Sequence, residues 1–165
     1  MVNKYTVAYF LMIAVAIAVG SWLFTHKPEG KVVASGEQTL LVLESGQNAV
    51  TKEKVNYVIE NQEQLAMVWK YAFGSTTEPI PAVDFTRDTV LAVFMGTQST
   101  GGHSINIARV SDEVSKGRVI TLEYTRPGTS CMVTQALESP FQFVVVAKSD
   151  LNIVREDVEK VTECK

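Results

Sequence analysis

The chain begins with a continuous apolar run. Residues Thr6–Phe24 carry no charged side chain and lie between Lys4 and the pair His26-Lys27. As a helix this run would be about 28 Å long, close to the ~30 Å hydrocarbon core of a bilayer. Every face of such a helix is apolar, which disfavours a helix buried in a soluble core. We therefore predict a single N-terminal transmembrane helix, an uncleaved signal anchor within residues 1–26.

A cleaved signal peptide is the alternative for the same segment. Ala18-Val19-Gly20 offers small residues at the spacing that signal peptidase prefers, and cleavage there would yield a secreted protein. Trp22-Leu23-Phe24 continues the apolar run beyond this site, and Trp22 suits a membrane interface. The anchor is therefore favoured. Residues 27–36, with their Pro, Gly and charged residues, follow as a predicted linker.

The remainder of the chain, residues 37–165, carries the pattern of a strand-rich domain. Alternation of apolar and polar residues predicts half-buried strands, and runs that are apolar on both faces predict central strands. The central strands are Thr89–Met95 and Phe141–Ala147; the others are Thr39–Leu43, Val55–Ile59, His103–Val110 and Arg118–Thr125. We expect Ile120, Leu122 and Tyr124 to share one inward face. The tail from Val158 to Cys164 fits either a helical turn or a last strand.

One amphipathic helix interrupts the strands. Asn61 can cap its N-terminus with Gln64 three residues later, and Gly74 can end it. Its apolar stripe is formed by Leu65, Val68, Trp69 and Ala72. Because Trp69 lies on this stripe, we expect it in the core. The elements predict an α+β domain, mainly antiparallel β-sheet or a two-layer β domain with one helix.

Composition narrows the functions open to this domain. The net charge is −3 with a pI near 5.4, so there is no basic surface of the kind that nucleic acids require. Gly96 and Gly101 have the spacing of a phosphate loop, but the Lys and the following helix of that motif are missing. Side chains with metal-ligand spacing are also missing. We predict no cofactor, no metal and no nucleic acid.

The two cysteines bear on the compartment. Cys131 and Cys164 both fall outside the apolar segment. An even and small number of cysteines, confined to the soluble part, is typical of an oxidising compartment. The residues alone leave two possibilities open, a disulfide or two unpaired buried thiols. We predict an N-terminus inside and an extracytoplasmic domain.

Two connections between strands hold the unusual residues. We call Gly96–His103 the glycine loop and Arg126–Leu137 the long loop. Long or glycine-rich connections on a rigid sheet often carry recognition, although both loops could equally serve only to turn the chain. The candidate binding residues are Thr97, Gln98, His103, Arg126, Thr134 and Gln135.

Catalysis has few candidate residues in this sequence. Cys131 with His103 is the only conceivable thiol dyad. A serine triad would need His103, Asp84 and one of Ser99, Ser130 or Ser139, without a nucleophile-elbow motif. We therefore expect no enzyme, and a small thiol- or serine-dependent hydrolase that uses His103 is the alternative.

The loops and their flanking strands also carry a family resemblance. The chain resembles the PrcB family over about Val55–Cys164, including Leu65 and Trp69 of the helix. The motifs are Asp84-Phe85, Gly96, Thr100-Gly101-Gly102, Ile105, Ile107, Pro127-Gly128, Cys131, Val133-Thr134-Gln135-Ala136 and Pro140. His103 departs from the pattern, which has an aromatic residue there.

The resemblance implies a role and a pairing. The family is named after a non-catalytic subunit of a surface protease complex, so the resemblance implies an extracytoplasmic accessory domain. It also favours a Cys131–Cys164 disulfide. We expect a membrane-anchored domain that binds or stabilises a protein partner in the cell envelope, with a protease as one such partner. A module that binds a glycan or small ligand is a further alternative.

Overall fold

The computed structural model describes residues 31–35, 38–74 and 78–164, with side chains from residue 38 onward. The predicted anchor Thr6–Phe24 and its alternative cleavage site lie outside these residues. Within the described ranges, no helix has the length and apolar character needed to cross a membrane.

The described residues form eight strands and one helix, which confirms the α+β class. In chain order they are β1 (Lys31–Ser35), β2 (Gln38–Gly46), β3 (Lys54–Ile59), α1 (Gln62–Phe73), β4 (Asp88–Met95), β5 (Ser104–Glu113), β6 (Gly117–Pro127), β7 (Phe141–Ala147) and β8 (Ile153–Thr162). The sequence predicted five or six strands. It missed β1, which lies inside the predicted linker and pairs with β2.

The first sheet has five strands in the order β1-β2-β7-β4-β3, and every neighbouring pair is antiparallel. β4 and β7 lie next to each other in its middle and are buried on both faces. This confirms the central positions predicted for Thr89–Met95 and Phe141–Ala147. A sheet that is covered on both faces needs such continuous apolar strands.

Helix α1 covers one face of this sheet. The Asn61 side chain accepts a hydrogen bond from the Gln64 backbone N–H at 2.8 Å, so the predicted N-cap is confirmed. The predicted stripe is buried, and the Trp69 ring lies 4.8 Å from the Phe143 ring, centroid to centroid. Aromatic and aliphatic packing thus fixes α1 on the sheet.

The second sheet covers the opposite face, in the order β5-β6-β8. Ile120, Leu122 and Tyr124 share its inward face, as predicted. β5 and β6 pair antiparallel, but β6 and β8 pair parallel, which the antiparallel interpretation did not foresee. Between them the chain crosses to the first sheet as β7, and such a crossover permits parallel pairing. The domain therefore has three layers: helix, five-stranded sheet and three-stranded sheet.

The ambiguous tail is resolved as a strand. β8 begins at Ile153, five residues before the predicted segment, and most of its side chains are exposed. Its charged composition hides the alternation by which an edge strand is normally recognised. The strand is held by backbone pairing along β6 rather than by burial.

Candidate functional site

The glycine loop and the long loop lie side by side at one end of the two sheets. The Gln98 backbone N–H donates to the Glu138 carbonyl at 2.7 Å, and the Glu138 N–H donates to the Gln98 carbonyl at 3.1 Å. The Gly101 N–H donates to the Thr134 carbonyl at 2.9 Å. These bonds join the two loops into one unit, the loop end of the domain.

Two glycines are required for this arrangement. Gly96 has φ +79°, a left-handed conformation that residues with a side chain disfavour. A Cβ added at Gly101 would collide with the Thr134 hydroxyl. The close approach of the loops therefore depends on glycine at position 101.

The two cysteines are joined by a disulfide, as the resemblance implied. The S–S distance of Cys131 and Cys164 is 1.99 Å and their Cα atoms are 5.0 Å apart. The Gly128 N–H also donates to the Thr162 carbonyl at 2.8 Å. The long loop is thereby fixed to the end of β8, and the thiol that a Cys131–His103 dyad would need is not free.

A cavity of about 310 Å³ opens near the loop end, between the first residue of β3, the glycine loop, the C-terminal part of β6 and the middle of β8. Most of its lining residues carry a polar or charged group. The lining residues are Lys54, Met95, Gln98, His103, Tyr124, Arg126, Asp157 and Glu159. We call it the loop-end cavity. It brings together three predicted binding residues: Gln98, His103 and Arg126.

Two polar atoms of this lining are buried without a hydrogen-bond partner. They are the Tyr124 hydroxyl and His103 Nδ1, for which the described part of the chain offers no partner. The second ring nitrogen of His103 lies 3.3 Å from the Thr100 hydroxyl. Lys54 Nζ lies 3.9 Å from the centroid of the Tyr124 ring, a cation–π contact. Buried polar groups nearly always have a hydrogen-bond partner, so the unpaired Tyr124 hydroxyl and His103 Nδ1 require an explanation.

The other predicted binding residues do not line this cavity. Thr97 is exposed, and Thr134 serves the contact between the loops. Gln135 is exposed on the long loop. The amide of Gln98 donates to the Met95 and Gly96 carbonyls at 3.4 Å each, so this residue also supports the loop. Three of the six candidates therefore line the loop-end cavity, and the other three lie outside it.

Five of the eight residues that line the cavity were not among the binding residues predicted from the sequence. Lys54 and Tyr124 lie within strands, and Asp157 and Glu159 belong to β8, whose position the sequence left open. Only the parallel register, with Tyr124 opposite Glu159, brings the carboxylates to the loop end. No local signal in the sequence gives that register.

A cleft continues from the loop end along β3 and β8, the edge strands of the two sheets. It holds a mostly apolar cavity of about 90 Å³. Leu91, Val93, Ile120 and Leu122 form its floor. The Asn56 amide lies across the mouth: in the orientation that satisfies its neighbours, it donates to the Val55 carbonyl at 2.9 Å and accepts from Arg155 Nη1 at 3.1 Å. We call this the inter-sheet cleft.

The serine triad is not assembled. Asp84 lies just before β4 and bonds to Thr86 and Arg87, whereas His103 follows the far end of that strand. Eight residues of β4 separate them by roughly 23 Å at the rise of a strand. The Thr86 hydroxyl and N–H, with Arg87, lower the pKa of Asp84. In the described ranges, no group of three His, Cys, Asp or Glu residues could hold a metal ion.

Comparison with known proteins gives one match. Residues 89–147 match the model of a protein family described as PrcB C-terminal. The match runs from β4 to β7 and includes both loops. The resemblance seen in the sequence is thus confirmed over these residues. No curated protein and no solved structure matches the chain.

Proposed function

From the match of residues 89–147 to the PrcB C-terminal family, we propose that the chain is a non-catalytic accessory domain. It is anchored by Thr6–Phe24 at a membrane, faces the extracytoplasmic side, and binds or stabilises a protein partner in the cell envelope. A protease complex is the first candidate for that partner. The Cys131–Cys164 disulfide supports this location, because structural disulfides persist in oxidising compartments.

The loop-end cavity is the observation that carries the proposal. It joins Gln98 and His103 of the glycine loop with Arg126 near the end of β6, and backbone bonds hold the glycine loop to the long loop. The Tyr124 hydroxyl and His103 Nδ1 have open hydrogen-bonding capacity there. A polar side chain or backbone group of a partner would satisfy both atoms. A preformed, rigid site of this kind loses little entropy on binding.

The same geometry supports a role without catalysis. The sulfur of Cys131 is in a disulfide, and the ring partner of His103 is the Thr100 hydroxyl rather than Ser99, Ser130 or Ser139. A nucleophile needs a base within hydrogen-bonding distance and a group that orients the base. The Thr100 hydroxyl lies within hydrogen-bonding distance of His103, but no group among the described residues bonds to His103 Nδ1 and orients the ring.

A small polar ligand is the second candidate, favoured by the same two open atoms. Glycan sites usually offer a free aromatic face for stacking. Tyr124 is the aromatic ring of this lining, and Lys54 occupies its face. The cavity therefore fits a polar side chain of a protein better than a sugar ring.

Site-specific crosslinking tests the proposed function. A photo-reactive residue replaces Arg126 in the full chain, in its native membranes, and a second variant carries the same residue at Val114. Val114 is fully exposed in the β5–β6 turn, at the opposite end of the sheets, and is the matched control. We expect one discrete envelope protein crosslinked from position 126 and not from 114. Equal products at both positions, or none at either, would contradict the proposal.

The hydrolase alternative has a separate test. His103→Ala removes one polar contact of the loop-end cavity, so partner capture should weaken by no more than about tenfold, and biological activity should not fall further than that. Loss of a positioned general base costs about 10²–10⁴ in rate. A loss of activity in that range, with an unchanged circular dichroism spectrum and midpoint of unfolding, would favour the hydrolase instead.

A further inference from the structure

The free edge of β3 differs from the other sheet edges. Of the edge strands whose side chains are described, β5 carries a bulge between Ile107 and Arg109, and β8 is densely charged. Both devices discourage pairing with a further strand. β3 pairs with β4 in regular register and has no charged residue from Val55 to Ile59. Among the edge strands whose side chains are described, β3 is therefore the one that has neither a bulge nor a dense row of charges along its edge.

An apolar cavity lies on each side of this edge. On the side of the second sheet, Val58 borders the cavity of the inter-sheet cleft. On the helix side, Met67 and Tyr71 border a second cavity of about 270 Å³, in which the Tyr57 and Tyr71 rings stack at 5.6 Å. Burial and the neighbouring Tyr71 raise the pKa of Tyr57, so the ring is neutral at physiological pH.

The two cavities match the geometry of an added strand. Successive side chains of a strand point to opposite faces, so neighbouring residues of a strand paired with β3 would enter the two cavities in turn. Val58 is 45% exposed and Met67 54% exposed, although both are apolar. In strand addition the backbone bonds supply affinity, and pockets for alternate side chains supply specificity.

Charge indicates the chemistry of the occupant. Beyond Val58 the cleft widens into a cavity of about 270 Å³ lined by Glu60 and Asp150. Neither carboxylate makes an ion pair within the described part of the chain. Arg118 lines the same cavity, but Asp112 neutralises it through two hydrogen bonds of 2.7 and 2.8 Å. The net charge of this end of the cleft is negative, which favours a basic side chain.

We propose that the free edge of β3 receives an extended segment of the partner protein as an added strand. One apolar side chain fills the inter-sheet cavity beside Val58, and the next contacts Met67 and Tyr71. A Lys or Arg two positions away lies beside Glu60 and Asp150. This inference rests on the proposed function, because it describes how the partner is held. The Asn56–Arg155 contact joins β3 to β8 across the cleft in the unbound protein, and in this proposal it opens when the strand pairs.

A designed peptide tests the proposal with the full chain in detergent. The labelled peptide Thr-Lys-Ile-Val-Thr-Thr-Ser places Lys and Val on one face and Ile on the other. Fluorescence anisotropy should give a dissociation constant below about 1 mM. Proline in place of the peptide Val removes a backbone donor and should abolish binding. Equal binding of both peptides would overturn the proposal.

Variants of the chain locate the peptide. Val58→Glu should weaken binding at least about tenfold, whereas Val114→Glu, the matched control, should leave it unchanged. Glu60→Lys should weaken binding of the Lys peptide and strengthen binding of a peptide with Glu in its place. Because Glu60 is exposed, this variant tests the contact even if Val58→Glu unfolds. Unchanged affinities in Glu60→Lys and Val58→Glu would overturn the proposal.

The outcomes separate this inference from the proposed function. If position 126 still crosslinks its partner while the peptide does not bind, the strand proposal fails and the proposed function stands. If the peptide binds but position 126 crosslinks no partner, the edge of β3 binds an extended segment as proposed, and the proposed function fails. Concentration-dependent dimerisation through β3, blocked by Val58→Glu, would assign the edge to a second copy and overturn the proposal.

Discussion

The two long sides of the sheet sandwich are built differently. On one, the closed side, β5 packs over β7 and β2, and the Gln142 amide oxygen accepts a buried hydrogen bond of 2.7 Å from the Ile107 N–H. On the other, the open side, β3 and β8 border the inter-sheet cleft, with Val58 and Ile153 exposed. The closed side uses burial and satisfied polar groups for stability. The open side leaves apolar surface and a strand edge available for a partner.

The electrostatic contacts show the same difference. Arg118 is buried and bonds towards the closed side to Asp112 of β5 and to the Ala147 carbonyl, so it joins the second sheet to the first, although it also lines the end of the cleft. On the open side the corresponding contact joins the partly buried Asn56 to the exposed Arg155, and contacts near the surface contribute little to stability. Opening the cleft therefore requires little free energy, whereas separating the closed side would unfold the domain.

The largest expected effect comes from the shared core. Phe143 of β7 is fully buried and packs against Trp69 of α1, so Phe143→Ala should reduce the free energy of unfolding by about 3–5 kcal/mol. Val58→Ala on the open side should change it by less than about 0.5 kcal/mol. Urea unfolding followed by tryptophan fluorescence measures both. Similar losses in the two variants would remove the distinction between buried core and open edge.

The disulfide is expected to stabilise the loop end and the end of β8. Cys164→Ser should lower the free energy of unfolding by about 2–5 kcal/mol, and limited proteolysis should then cut the long loop. Amide exchange should accelerate in the last residues of β8 and stay unchanged in β5. Accelerated exchange in β5 would mean that the two sides are not independent.

The buried amide on the closed side gives a smaller effect. Gln142→Met keeps the volume but removes the acceptor for the Ile107 N–H, and an unsatisfied buried donor costs about 1–3 kcal/mol. Asn56→Ala is the control on the open side. It should lower the free energy of unfolding less than Gln142→Met does, because the Asn56 amide is only partly buried. Chemical denaturation measures both variants. Equal losses of unfolding free energy would contradict the claim that the closed side contributes more to stability than the open side.

The smallest effect concerns pH. Hydrogen bonds from Arg118, and a weaker one from Gln38, lower the pKa of Asp112. The ionised carboxylate therefore stabilises the folded protein above its ordinary pKa of about 3.9, and this contribution is lost as the pH falls through the lowered value. Asp112→Asn should be less stable than the natural protein at pH 7, with a difference that shrinks below about pH 4. A difference that stays constant between pH 7 and 3 would argue against this ion pair.

The sequence predicts the shared core well. Apolar runs on both faces identify β4 and β7, and the cap and stripe identify α1, because burial imposes a periodicity that can be read from one chain. The Cys131–Cys164 bond followed from the family resemblance rather than from the spacing of the cysteines. Thr6–Phe24 stays a prediction.

The open side could not be predicted in the same way. β8 carries charges on both faces, so its alternation gives no signal, and its parallel pairing with β6 depends on a crossover through the other sheet. Lys54 and Tyr124 meet only through this topology. Apart from Arg126, which lies near the end of β6, the predicted binding residues lie on loops, where local composition is informative. A free strand edge, in contrast, arises only when the sheets are assembled.

Amide hydrogen exchange with and without the Lys-Ile-Val peptide tests the central claim most directly, because it reads both sides of the sandwich at once. If the open side is the binding side, saturating peptide slows exchange in β3, between Val55 and Ile59, and leaves β5 unchanged. Exchange that slows only at the loop end, or equally in β5, would contradict the claim that the free edge of β3 receives the partner.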